Sequence, residues 1–139
     1  MKKIYLILLL LLCSCGINNS FSKTCKYEIK SNLFREKTTY KIEYADDMVK
    51  QAIVTKNYKS FDGNDAADDV KKIISEFNNK YGGTGIKYII NKDLENEFEI
   101  EYFIPVKSVD ENVLNDFKLE KKSIKLFRNF KKENIECEG

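Results

Sequence analysis

The chain has 139 residues, 42% hydrophobic and 33% charged, and its 24 basic and 22 acidic side chains leave a formal net charge of +2. This composition excludes a disordered chain, and the interspersed charges exclude a dedicated nucleic-acid surface. Histidine is absent, which removes the commonest general base, the commonest metal ligand and every His-dependent triad.

The N-terminus reads as an address. Lys2 and Lys3 precede an unbroken apolar run from Ile4 to Leu12, and Ser14 is a small residue before Cys15. The run is far shorter than the ~20 apolar residues of a membrane span. Leu12-Cys13-Ser14-Cys15 looks like a bacterial lipobox, which implies lipidation of Cys15, by diacylglyceryl and palmitate-type chains, and cleavage after Ser14. Two acyl chains anchor a protein stably where one is marginal. The expected organisation is a signal peptide over 1–14, a lipidated cysteine with a flexible tether over 15–24, and one domain over 25–139. The expected location is a bacterial cell membrane, on its extracytoplasmic side. Of the four cysteines, Cys13 leaves with the signal and Cys15 is acylated. Cys25 and Cys137 remain, and an exported compartment permits a disulfide between them.

Alternation predicts strands at Thr24–Lys30 (Cys25, Tyr27 and Ile29 inward) and at 37–44 (Thr38, Tyr40, Ile42 and Tyr44 inward). Ala45-Asp46-Asp47 is a tight-turn candidate, and Met48–Tyr58 returns as a third strand of less regular alternation. After Asp62-Gly63 the period becomes helical. Ala66, Val70, Ile73, Ile74, Phe77 and Tyr81 form one stripe, Asn64 or Asp65 can cap it, Asp68 and Asp69 suit the positive end, and Gly82 suits the left-handed exit. Ile86, Tyr88 and Ile90 give a fourth strand. Glu97 to Ile104 is a fifth, with Phe98, Ile100, Tyr102 and Ile104 inward and Pro105 ending it. Ser108-x-x-Glu111 has capping-box spacing. A last helix is predicted over 120–132 with Ile124, Phe127 and Phe130 inward, then Asn134 as its exit and a short extended tail through Cys137. The fold class expected is α+β, a mainly antiparallel sheet of about five strands with two helices on one face.

Candidate sites are few. Tyr81-Gly82-Gly83-Thr84-Gly85 is glycine-rich but follows a helix instead of preceding one, so it reads as a helix stop and not a phosphate cradle. Asp62, Asp65, Asp68 and Asp69 lack the glycine and terminal glutamate of a calcium loop. The eight tyrosines fall mostly on the apolar stripes, where core packing is their default role. Glu97, Glu99 and Glu101 place three carboxylates on one strand face, which can hold calcium or do acid–base work. Ion pairing with Lys26, Lys30, Lys37 and Lys41 on neighbouring strands explains both sets of charges, so a solvated sheet face is the reading expected of them.

The pattern as a whole resembles the YehR-like family of small bacterial lipoproteins. The residues that carry it are the lipobox, Lys23-Thr24-Cys25 opening a strand, and Asp46-Asp47-Met48-Val49-Lys50-Gln51, which is similar to the family's Gly/Asp-Asp-x-Val-x-x-Gln turn. A helix ending at Tyr81 with Gly85-Ile86 opening the next strand adds to it. So does Glu133-Asn134-Ile135-Glu136-Cys137, with Asn134-Ile135 where the family carries Gly-Phe. The resemblance covers nearly the whole mature chain. It implies a compact α+β domain and no activity, cofactor, metal or catalytic residue. The function expected is a membrane-anchored binding or envelope-interaction module, its partner an envelope protein or small ligand, with no enzyme activity. A small hydrolase or metal-dependent enzyme on Glu97, Glu99 and Glu101, or a structural envelope component, are the alternatives.

Overall fold

The computed structural model describes residues 19–61 and 66–139, the side chains of residues 66–70, 73 and 78 excepted. The lipobox with Cys15, the first part of the tether, Asp62, and the Asn64 and Asp65 caps lie outside the described residues, as do the side chains of Ala66, Asp68, Asp69, Val70 and Ile73. Six strands and three helices follow in the order β1 (Phe21–Lys30), β2 (Phe34–Ala45), β3 (Met48–Ser60), α1 (Ala66–Tyr81), β4 (Lys87–Asp93), β5 (Glu97–Ile104), α2 (Glu111–Asp116), α3 (Ser123–Lys132) and β6 (Glu136–Glu138). The strands form one antiparallel sheet in the order β4-β5-β3-β2-β1-β6. The fold is thus α+β with the helices packed against the sheet, and the extended tail through Cys137 adds the sixth strand.

β1 begins three residues before Thr24. Phe21 pairs with Tyr44, and their rings stack with centroids 5.7 Å apart, so Phe21–Lys23 belong to the sheet and not to the tether. Asp46 and Asp47 both take left-handed backbone angles, φ 51° and 60°. That is the two-residue type I′ turn, whose twist matches the flanking strands. Just beyond it Glu43 faces Gln51 and Tyr44 faces Val49, so Lys50 is an extra residue on β3. The bulge shifts the phase, and Val49 and Ala52 both point into the core, which is why β3 alternates irregularly.

The buried layer draws Cys25, Tyr40, Ile42, Val54, Phe98, Ile100, Tyr102 and Ile104 from the sheet. Val106, Leu114, Phe117, Leu119, Leu126 and Phe130 close it from the chain after β5. Phe77 and Tyr81 of α1 meet Tyr102 and Phe117 with ring centroids 5.4–6.0 Å apart, edge to face or tilted.

Asp47 also fixes where α3 starts. Its carboxylate accepts hydrogen bonds from the Ser123 hydroxyl (3.0 Å) and the Ile124 N–H (2.9 Å), a cap supplied from a different element because Lys122 at the N-cap offers none. With that start, Ser123, Leu126, Phe127 and Phe130 form the stripe against the sheet. Leu126 and Phe130 are buried and Phe127 half-buried, whereas Ile124, expected inward, is exposed. The helix also begins three residues later than Glu120. Three further expectations shift. Ser108 does not cap a helix: its hydroxyl donates to the Pro105 carbonyl at 3.1 Å, and Asp110 is the N-cap of α2. Gly83, not Gly82, takes the left-handed backbone after α1, at φ 81°. β4 has no inward face, and Tyr88 and Ile90 are exposed, because it lies at the sheet edge while α1 packs on β3 and β5. Asn134 does take the left-handed exit expected of it.

Cys25 and Cys137 are directly opposed on β1 and β6 and form a disulfide. Their Cα atoms are 4.0 Å apart, nearer than the ~4.4–6.8 Å usual for bridges. Cys25 is fully buried, and with Ile135 it ties the tail to the core. Replacing both cysteines by serine is expected to lower the unfolding free energy in urea by up to about 4–5 kcal/mol, the chain-entropy figure for so long a loop. Mass spectrometry without reductant should yield a Cys25–Cys137 cross-linked peptide from the unaltered protein. Free, alkylatable thiols would contradict the bridge.

Asp47 makes a second testable element. The Ile124 N–H, foremost, holds its carboxyl below the ordinary value of 3.8, assisted by Ser123. A carboxylate whose folded value is lowered stabilises the fold above its ordinary value, and that contribution drains away as the pH falls through the lowered one. Asp47→Ala is expected to reduce the urea midpoint at pH 7, and Asp47→Asn to restore part of it. The gap between wild type and Asp47→Asn should narrow in acid. A gap independent of pH would show that the charge of Asp47 does not act at the helix start.

Candidate functional site

The helices cover one face of the sheet and leave the other open. Register decides which side chains meet there. On β5, Glu97, Glu99 and Glu101 stand opposite Lys59, Asn57 and Thr55 of β3. All three glutamates are half-buried and on the face away from the core, as their alternation predicts.

Their partners differ from those expected. Asn57 is 8% exposed and donates both amide protons, one to Glu97 and one to Glu99, each at 2.9 Å. The Thr55 hydroxyl donates to Glu101 at 3.0 Å, the Asn91 amide to Glu99 at 3.3 Å, and the Lys92 ammonium to Glu97 at 3.1 Å. Lys26, Lys30, Lys37 and Lys41 share the open face but sit on β1 and β2, and β3 stands between them and β5. Cross-strand ion pairing with those lysines therefore does not occur. Instead, stripes of acid, amide and hydroxyl, then base run side by side along the strands.

These contacts engage all three carboxylates with hydrogen-bond donors. The hydrogen bond from Asn57, foremost, and that from Lys92 hold Glu97 below the usual carboxylate range. A general acid needs the opposite shift. Among the described residues no three His, Cys, Asp or Glu side chains are grouped so as to hold a metal ion. The hollows bordering the face, one by Lys26, Glu28, Lys37 and Glu136 and one by Gln51, Ile53, Lys87 and Phe103, are open to solvent. The glycine-rich stretch after α1 is a turn, closed by Thr84, whose N–H and hydroxyl both donate to the Tyr81 carbonyl.

Two features of the covered side were not singled out from the sequence. Lys56 lies opposite Thr38 and Ile100 on the core-facing phase of β3, and burial pushes its ammonium down, partly offset by Glu36. Two-residue alternation from Val54 places it there, once the bulge sets the phase. Tyr81 and Lys80 both donate to the Asp116 carboxylate, at 2.6 and 2.7 Å, linking the end of α1 to the end of α2. Burial, with that hydrogen bond, raises the Tyr81 phenol, and burial pushes the neighbouring Tyr102 up to about 12.

No family model matches the sequence, and no curated protein does. Two solved structures share the fold. The YehR protein of Escherichia coli superposes with a TM-score of 0.61 at 16% identity, over 86% of this chain and 92% of that one. A protein from Streptococcus pneumoniae superposes with a TM-score of 0.54 at 13% identity, over 90% of this chain and 88% of the other. At these identities the relationship shown is one of fold alone.

Replacing Glu97, Glu99 and Glu101 together by glutamine keeps an acceptor oxygen at each position and removes three charges. Only one contact there is an ion pair, Lys92–Glu97, worth about 0–1 kcal/mol, and the other hydrogen bonds keep an acceptor, so the urea midpoint is expected to shift little. Titration calorimetry should detect no stoichiometric calcium binding by the unaltered protein. Binding that the triple variant abolishes would restore the metal reading of this face.

Proposed function

We propose that this chain is a lipid-anchored protein of the bacterial envelope. In this reading acylated Cys15 holds it on the extracytoplasmic side of a membrane, and the domain binds an envelope protein or small ligand and performs no catalysis. The observation that carries the reading is the placement of the lipobox. Leu12-Cys13-Ser14-Cys15 ends where only the polar stretch Gly16-Ile17-Asn18-Asn19-Ser20 separates it from Phe21, the first residue of β1. That is the spacing of a short tether between lipid and domain. The YehR-like fold and the motifs that resemble that family of lipoproteins support it. The satisfied carboxylates of the open face and the lack of a metal-holding group among the described residues agree with binding over catalysis.

Expressed in a bacterial host, the protein is expected in the membrane fraction, with a mass that fits cleavage before Cys15 and acylation. Cys15→Ala should release it to the soluble pool or leave it unprocessed. A cleaved Cys15→Ala protein that still partitions into detergent would overturn the reading.

A further inference from the structure

Apolar side chains are exposed at the end of the sheet from which the tether leaves. Phe21 is 57% exposed, Met48 36% and Ile124 61%. They come from β1, from the β2–β3 turn and from the start of α3, and three contacts hold them together. Phe21 stacks on Tyr44, Met48 bridges to Lys122, and Asp47 binds Ser123 and Ile124. Scattered apolar residues on a surface need no explanation, but three brought together from distant parts of the chain at one tip do.

The lysines at this tip break a local rule. Lys121, Lys122 and Lys125 occupy the start of α3, with no acidic residue in its first turn. A helix N-terminus carries partial positive charge and disfavours cations. Asp47 offsets this from the β2–β3 turn, while Lys122 extends into solvent and Lys125, paired with Glu120 at 3.0 Å, keeps 61% of its side chain exposed. Glu120 is engaged by Lys125 and Asn129, which leaves Asp46 as the exposed acid of the turn. A local preference overridden in this way marks a place where function sets the sequence.

The chain length says what covers the tip. Six residue steps separate Cys15 from Phe21, at most about 20 Å when fully extended. β3, with 13 residues, spans roughly 40 Å at the usual rise of ~3.3 Å per residue. The tether cannot reach around the domain, so an anchor at Cys15 keeps this tip, and not the far one bearing Leu33 and Phe61, next to the headgroups. On the reading that Cys15 is the anchor, we propose that Phe21, Met48 and Ile124 dip into the membrane interface while Lys122 and Lys125 meet anionic headgroups, so that the strands run away from the bilayer. Amphipathic tips of this composition bind lipid surfaces through apolar insertion and attraction to anionic lipid.

The chain contains no tryptophan, so a single introduced one reports without background. Full-length acylated protein carrying Ile124→Trp, Phe21→Trp or, at the far end, Leu33→Trp would be reconstituted in vesicles of 30% phosphatidylglycerol and 70% brominated phosphatidylcholine. Strong quenching is expected for Ile124→Trp and Phe21→Trp and none for Leu33→Trp. The Ile124→Trp quenching should be lost when Lys122 and Lys125 are also changed to Gln, or when the phosphatidylglycerol is omitted. Co-flotation with the vesicles, checked in the same samples against Cys15→Ala, reports the anchor separately. Protein that floats but is quenched equally at positions 124 and 33 overturns the proposed orientation and leaves the anchor standing. Quenching that ignores both lysines and lipid charge overturns the headgroup contact. Protein that does not float removes the anchor, and the proposal with it.

Discussion

The turn at Asp46 and Asp47 sets the register between β2 and β3, and the sheet depends on that register. Side chains alternate with a period of two, so a slip of one residue would turn Tyr40, Ile42 and Val54 out to solvent and bring Lys41 and Thr55 inward. Two non-glycine residues with positive φ are unfavourable by themselves. Here the hairpin twist needs that conformation, and the Asp47 carboxylate gains the start of α3 as its partner. One side chain thereby couples the hairpin to the helix that covers it. The backbone repeats the link: the Ser123 N–H donates to the Asp47 carbonyl, and the Val49 N–H to that of Lys121.

From this register the division of the two faces follows. The covered face carries the aromatic and aliphatic residues that α1, α2 and α3 seal. The open face carries charges that amide and hydroxyl donors engage across the strands. Asn57 shows how the two requirements meet. It is almost fully buried on the open face, hemmed in by the glutamates it binds, and so it orders two like charges that would otherwise repel. Such a face is well suited to remaining hydrated or to meeting a polar partner.

Local periodicity made much of this legible. β5 has the bounds and the inward set that its alternation predicts, and α1 ends at Tyr81 as its stripe requires. The Cys25–Cys137 bridge followed from counting cysteines. What periodicity could not supply was strand order. β5 follows β4 in the chain yet inserts beside β3, so the glutamates meet Asn57 and Thr55 and not the lysines of β1 and β2. The start of α3 was hidden for a related reason. Its cap comes from a residue far away in sequence, and a shift of a few residues at the start exchanges Ile124 for Leu126 on the inner side. Gly82 and Gly83 are adjacent and equally suited to a left-handed angle, so composition could not choose between them. The bulge at Lys50 left a trace in the irregular alternation of β3, but only pairing with Glu43 and Tyr44 shows which residue is extra.

The bridge between β1 and β6 has one more consequence. It joins residues 112 positions apart and brings the last strand back beside the start of β1, with Gly139 against Ser22 and Lys23. Nearly the entire domain is therefore a covalent ring. A protease that severs one peptide bond anywhere between Cys25 and Cys137 opens the ring without dividing the molecule. The two pieces stay joined and held side by side in the sheet, and it takes a second cut, or a reductant, to separate them.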